Sequence, residues 1–245
     1  MNQRIKNLNY DKLLFVDIKT VRGEKDFDET HPLYDTWAWK QRDRDTNIIP
    51  VFSEVLDAYY NKAALYAEWG KIVCISVGYI KKEGGLKTIS YTGDEKTILQ
   101  DFVSMVKKSK RMLVGWNLIK FDVPYIRKRF FINGLTEYLG EKQGNDVYAK
   151  PWDLDDSIFD LMVAWKGSGY TSTSMEEVAM AFGITSSKEV MHGNEVSEYY
   201  YSDKIDEIAT YCKEDVRVVT EILRAWKKDV VITKKDDEEG EYAGF

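Results

Sequence analysis

The run Leu13-Leu14-Phe15-Val16-Asp17-Ile18 is apolar except for one acid near its end. Such a run predicts a central strand buried on both faces, with Asp17 closing it. Residues 20–50 are polar and dotted with aromatics, including His31, Trp37 and Trp39, which predicts a surface excursion. Phe52, Val55, Leu56, Tyr59, Tyr60 and Ala63 recur at helical spacing, so an amphipathic helix is expected over 52–67, inside an insertion spanning 20–70. Lys71–Ile80 and Leu86–Tyr91, separated by Gly84-Gly85, read as a β-hairpin. A helix over 97–109, a strand over 111–116, a helix over 124–131 and a strand over 157–163 follow. Ser174-Met175-Glu176-Glu177 opens another helix as a capping box. The last long helix, over 204–228, buries Ile205, Ile208, Cys212, Val216, Val219, Leu223 and Trp226. Strands first, then strands mixed with helices, predict one mixed-sheet α/β domain over 1–233, followed by an acidic, flexible tail over 234–245.

Composition narrows the picture in four ways. At 245 residues with 44% apolar and 31% charged positions, the chain has ordinary globular usage, which excludes wholesale disorder. Uncharged runs such as Ile72–Ile80 and Val178–Ser187 stop at nine or ten residues, too short for a membrane helix of about 20. The polar start and two cysteines, Cys74 and Cys212, without metal-ligand spacing predict a cytoplasmic protein with reduced, buried thiols. The net charge of −6 becomes −1 without the five acids Asp236, Asp237, Glu238, Glu239 and Glu241. A nearly neutral body argues against strong nonspecific polyanion binding, but leaves room for an acidic, metal-bridged nuclease centre.

Three acids stand beside strong apolar elements: Asp17, Asp122 and Asp215. Asp122 follows the strand Met112-Leu113-Val114-Gly115-Trp116-Asn117 by a short turn into a helix. Asp215 lies in the long last helix four residues after Tyr211, which places both side chains on one face. Carboxylates converging from separate elements repel unless protonated or bridged, and an oxygen-only cluster suits Mg²⁺ or Mn²⁺.

Phe15-Val16-Asp17-Ile18-Lys19-Thr20, the stretch Gly115–Pro124 and Tyr211-Cys212-Lys213-Glu214-Asp215-Val216 resemble the three motifs of DEDD 3′–5′ exonucleases, in order. The tyrosine four before the last Asp resembles the DEDDy subclass. Gly70–Ser76 and the closing helix look closest to predicted exonucleases related to the exonuclease domain of family B DNA polymerases. The resemblance runs from about residue 11 to 227 and implies an RNase H-like mixed sheet flanked by helices. It implies further that Asp17 bridges two divalent ions, Mg²⁺ or Mn²⁺, that Asp215 binds the nucleophile-side ion and Asp122 the second. Tyr211 would orient the attacking water, while Asn117 and Phe121 would shape the pocket for the terminal nucleotide. Ion pairs about 3.5–4 Å apart serve in-line phosphoryl displacement. For Asn117 a cap or turn role is equally open, and Phe121 reads equally as core.

One departure outweighs the matches. The family's first motif is Asp-x-Glu, and here it is Asp17-Ile18-Lys19. In a strand, i and i+2 share a face, so Lys19 enters the site beside Asp17, where a charged lysine donates hydrogen bonds and coordinates nothing. The site charge changes by two units in the positive direction; at an effective dielectric near 20, two unit charges about 4 Å apart interact by about 4 kcal/mol. Three readings stay open: a naturally degenerate or nucleic-acid-binding nuclease fold, an inactivating substitution made in this protein, or rescue by a nearby acid such as Glu24 or Asp26.

Smaller signals carry less. Lys107–Arg111 and Arg127–Arg129 are basic runs that suit either a phosphate backbone or exposed helix ends, and Trp37, Trp39 and Tyr199–Tyr201 are either base-stacking platforms or core. His31 and His192 lack partners at zinc spacing. The expected function is a metal-dependent 3′–5′ exonuclease on single-stranded DNA ends, with RNA as another substrate class. Its products would be nucleoside 5′-monophosphates, its setting a bacterial or phage-infected cell, and its partner for proofreading a separate DNA polymerase. The alternative is an inactive exonuclease fold that binds nucleic acid or a replisome component.

Overall fold

The computed structural model describes residues 3–136, 157–169, 173–185, 191–228 and 238–239. A short helix α1 (Gln3–Asn7) precedes the long strand β1 (Leu13–Arg22). Helices α2 (Tyr34–Lys40) and α3 (Phe52–Lys62) lead to the hairpin β2 (Gly70–Ile80) and β3 (Leu86–Thr92). Then come α4 (Glu95–Ser109), β4 (Met112–Gly115), α5 (Asp122–Ile132), β5 (Ile158–Asp160) and α6 (Leu161–Lys166). Helices α7 (Met175–Ala181), α8 (Val196–Tyr201) and α9 (Ile205–Lys227) follow, and β6 (Glu238–Glu239) closes the described chain.

The described strands form one mixed sheet in the order β5-β4-β1-β2-β3-β6. β1 runs antiparallel to β2 and parallel to β4; β4 and β5 are parallel, and β2 and β3 form the expected antiparallel hairpin. Of the acidic stretch 234–245, only Glu238 and Glu239 lie among the described residues, and they pair in parallel with Lys87 and Thr88. Among the described residues, no helix is long and apolar enough to cross a membrane.

β1 is central, as its apolar run requires, and its alternation divides the molecule. Leu14, Val16 and Ile18 enter one core with Ile98, Phe102 and Val106 of α4 and Ile126 and Phe130 of α5. Leu13 and Phe15 enter the opposite core with Val219, Ile222 and Leu223 of α9. Every odd position of β1 therefore faces the α9 side. Gly78 permits close approach there, since a Cβ on it would lie 2.6 Å from Val216 Cγ1.

Three sequence expectations need correction. β1 does not end at Asp17 but continues to Arg22, because Ile18 and Val21 are as buried as the residues before the acid. The expected strand over 157–163 stops at Asp160, whose carboxylate accepts the amides of Met162 and Val163 and starts α6. The excursion after β1 also has a core of its own, formed by Phe27, Trp37, Ala38, Val55, Ala58, Tyr59 and Ala63.

Candidate active site

Asp17 and Lys19 occupy odd positions of β1 and so project toward α9, where Tyr211 and Asp215 share a face one turn apart. The structure brings these four residues together. Lys19 Nζ lies 2.9 Å from Asp17 Oδ2, is hydrogen-bonded to Asp215 Oδ2, and sits 3.9 Å from the centroid of the Tyr211 ring. Only 8% of Lys19 is exposed, so its stem and its ammonium are both inside the protein. The register of β1 on β2 shifts between Lys19 and Thr20: Lys19 opposes Cys74, and Thr20 opposes Ile72. That irregularity sits beside the site, where bulges commonly re-aim side chains.

Asp122 reaches the same strand from the other side. It is the first residue of α5, is buried, and its Oδ1 accepts the Ile18 backbone N–H at 3.2 Å. The turn that delivers it is built around Asn117, which adopts φ +64° and whose carbonyl accepts the amides of Lys120 and Phe121. Asn117 therefore does the turn's work, since asparagine tolerates left-handed backbone. Phe121 is half-buried against the α4–α5 core, with its ring 5.5 Å from that of Tyr125.

Two participants escaped the sequence reading. Asp160 is buried and accepts four backbone amides: Asn117 at 3.1 Å, Ile119 at 3.0 Å, Met162 at 2.9 Å and Val163 at 3.3 Å. It thereby ties the start of α6 to the turn that carries Asp122. An acid closing an apolar run just before a helical pattern was the signal available for it. Asp160→Asn is expected to cost about 2 kcal/mol in a urea-unfolding measurement, because the amide nitrogen that takes the place of Oδ2 cannot accept the Ile119 N–H and leaves it unpaired. The second participant is Cys212, whose thiol donates to Asp17 Oδ2 at 3.2 Å. Both cysteines are free and buried, as expected.

Electrostatics follow from burial and crowding. Burial raises the Asp17 carboxyl to about 6, with Lys19 pulling it down and Asp215 pushing it up. Burial also holds Asp122 well above the usual carboxylate range, and the charge of Asp17 adds to it. For Lys19 burial acts downward, but the carboxylates of Asp17 and Asp215 outweigh it and hold the ammonium above the ordinary lysine range. Burial pushes the Tyr211 phenol up to about 12, against the pull of Lys19, so it keeps its proton at neutral pH.

The donor set tests whether two divalent ions fit. Among the described residues, no group of three or more His, Cys, Asp and Glu side chains converges to hold a metal ion. The ammonium of Lys19 already stands between Asp17 and Asp215 and has no lone pair to offer. Among the described residues, Asp215 Oδ1 is a buried acceptor without a hydrogen-bond partner. The residues as they stand do not fit a pair of divalent ions; they fit one ammonium bridging two carboxylates.

Four of the remaining sequence candidates have structural partners. Trp37 is fully buried and donates its indole N–H to the Val55 carbonyl at 3.1 Å. Tyr201 donates its hydroxyl to the carbonyls of Arg22 and Gly23. In the second basic run, Lys128 pairs with Glu68, and Arg129 with Glu95 and the Ala67 carbonyl.

A mixed sheet with its acids on the central strand, on a following helix and on the closing helix is the architecture of an RNase H-like exonuclease domain. The solved family B DNA polymerase from the hyperthermophilic archaeon Pyrobaculum calidifontis shares this fold over 86% of the chain, with a TM-score of 0.53 and 18% identity. The DNA polymerase of Archaeoglobus fulgidus is 26% identical over 133 residues, or 52% of the chain. The chain spans only 24% of the first polymerase and 17% of the second. It belongs to the family of predicted 3′–5′ exonucleases related to the exonuclease domain of PolB, whose model matches residues 64–223. That match covers the Asp122 and Asp215 segments and begins after Asp17 and Lys19.

Proposed function

We propose that this chain is a 3′–5′ exonuclease domain directed at single-stranded DNA ends, with its hydrolytic activity suppressed by Lys19. The observation that carries the proposal is the position of the Lys19 ammonium, bound to both Asp17 and Asp215 in the face that α9 lays over β1. Membership of the PolB-related exonuclease family supports the class of reaction, and the convergence of Asp17, Tyr211 and Asp215 supports the location. Asp122 belongs to the same centre through its bond to Ile18 and its electrostatic contact with Asp17. Tyr211, protonated at neutral pH, is the donor suited to orient a water. Asn117 and Phe121 lie on the turn before Asp122 and are proposed to border the terminal nucleotide. Magnesium or manganese would be the ions of the restored site. Its proposed partner is a DNA polymerase, and its proposed setting the cytoplasm of a bacterial or phage-infected cell.

A second reading has the same observation behind it: a lysine that satisfies two carboxylates also suits a fold kept for binding nucleic acid alone. The two readings part in one experiment. The chain and its Lys19→Glu variant are incubated with 5′-labelled single-stranded DNA and Mg²⁺ or Mn²⁺. A 3′-end ladder from Lys19→Glu alone supports the suppressed nuclease. DNA retained by both forms and cut by neither supports the binding fold. A ladder of equal strength from the unaltered chain overturns the role given to Lys19.

A further inference from the structure

Asp17, Asp122 and Asp215 reach this region from three elements, and Asp122 and Asp215 are buried, each 4% exposed. Buried like charges destabilise a fold unless a cation stands among them. Here that cation is covalently part of the chain. Lys19 comes from the central strand, lays its charge against the Tyr211 ring, and divides its protons between Asp17 and Asp215. Resting on the reading of this centre as a nuclease-type acid cluster, we propose that Lys19 is a resident counter-cation that makes the folded domain independent of divalent ions. Its removal creates a divalent-cation site that the unaltered chain does not have.

The groups facing the ammonium all point the same way. Asp17 shares its strand, Asp215 and Tyr211 approach from α9, and Cys212, also from α9, donates to Asp17 from behind. Without Lys19, Asp17 Oδ2 keeps only the weak thiol donor, and Asp215 Oδ2 joins Oδ1 in having no partner. Two carboxylates in that condition form an oxygen-donor site for a hard divalent ion. Glutamate at position 19 adds a third carboxylate and deepens the need.

Thermal unfolding of the full chain, Lys19→Met and Lys19→Glu, each with EDTA and with Mn²⁺, tests this directly. The unaltered chain is expected to melt at one temperature in both conditions. In EDTA, Lys19→Glu is expected to lose on the order of 10 °C, the scale of breaking a buried ion pair in a chain of this length. Lys19→Met should lose less, since its thioether stem still fills the space. Mn²⁺ should return most of the loss, and electron paramagnetic resonance should count at least one more bound Mn²⁺ per chain in Lys19→Glu than in the unaltered chain. An equal Mn²⁺ response in the unaltered chain would overturn the proposal, as would unchanged melting of Lys19→Met and Lys19→Glu in EDTA. Should Lys19→Glu not fold without metal, Lys19→Met carries the same comparison. Mn²⁺-dependent stability without DNA cleavage leaves this inference standing and removes the nuclease reading. Cleavage without any Mn²⁺ effect on melting does the reverse.

Discussion

Lys19→Glu is expected to raise Mg²⁺- or Mn²⁺-dependent degradation of single-stranded DNA by about a thousandfold over the unaltered chain. The magnitude follows from charge. Replacing an ammonium by a carboxylate swings the centre by two units; one unit-charge interaction near 4 Å at an effective dielectric near 20 is about 4 kcal/mol. Each 1.36 kcal/mol is roughly a factor of ten in rate. The geometry makes the interaction local, because Lys19 Nζ touches the very carboxylates that the Asp17 and Asp215 segments contribute. The assay is a time course on 5′-labelled DNA, read as loss of nucleotides from the 3′ end. A companion variant, Lys19→Glu with Asp215→Asn, should return to the background rate. Rates for Lys19→Glu that match the unaltered chain would mean that the charge at position 19 does not limit the reaction.

Much of this centre was legible because two simple periodicities meet in it. The period of two along β1 puts Asp17 and Lys19 on one face, and the i, i+4 spacing on α9 puts Tyr211 and Asp215 on one face. What no periodicity contains is which faces meet. The closure of Cys212 on Asp17 spans 195 residues of sequence, and the four amides gathered by Asp160 come from two separated segments. Asp17 misled as a strand end because a charge inside a buried run is costly unless partnered, and the sequence places Lys19 beside it without showing that the two pair. Asn117 shows the opposite outcome. Both of its roles were visible in the sequence, and the positive φ shows the backbone one directly.

Trp37 separates the two meanings an aromatic residue can have in a polar stretch. Its ring is enclosed: edge-on contacts to Tyr59 at 5.4 Å, Tyr66 at 6.0 Å and Trp69 at 5.0 Å surround it, and Phe27 stacks on Tyr59 at 3.8 Å. Trp37→Ala should therefore cost about 3–5 kcal/mol, through lost burial and the cavity left behind. The indole hydrogen bond to Val55 goes with it, leaving that carbonyl without this donor. This small core is fastened to the far end of β1, by the Thr20 hydroxyl on the Ala64 carbonyl and by the Glu24 amide on the Tyr59 hydroxyl. Damage there is transmitted to Thr20–Glu24 before it reaches Asp17. Trp39, half exposed with Arg42 4.3 Å from its ring, is the internal control, and Trp39→Ala should shift stability by no more than about 0.5 kcal/mol. Urea unfolding and single-stranded DNA binding, measured on both variants below their melting transitions, decide the matter. Trp37→Ala should lose stability and keep its DNA affinity. If Trp37 instead stacked on a base, affinity would fall by about tenfold or more with stability unchanged, since one stacked base is worth about 1–3 kcal/mol.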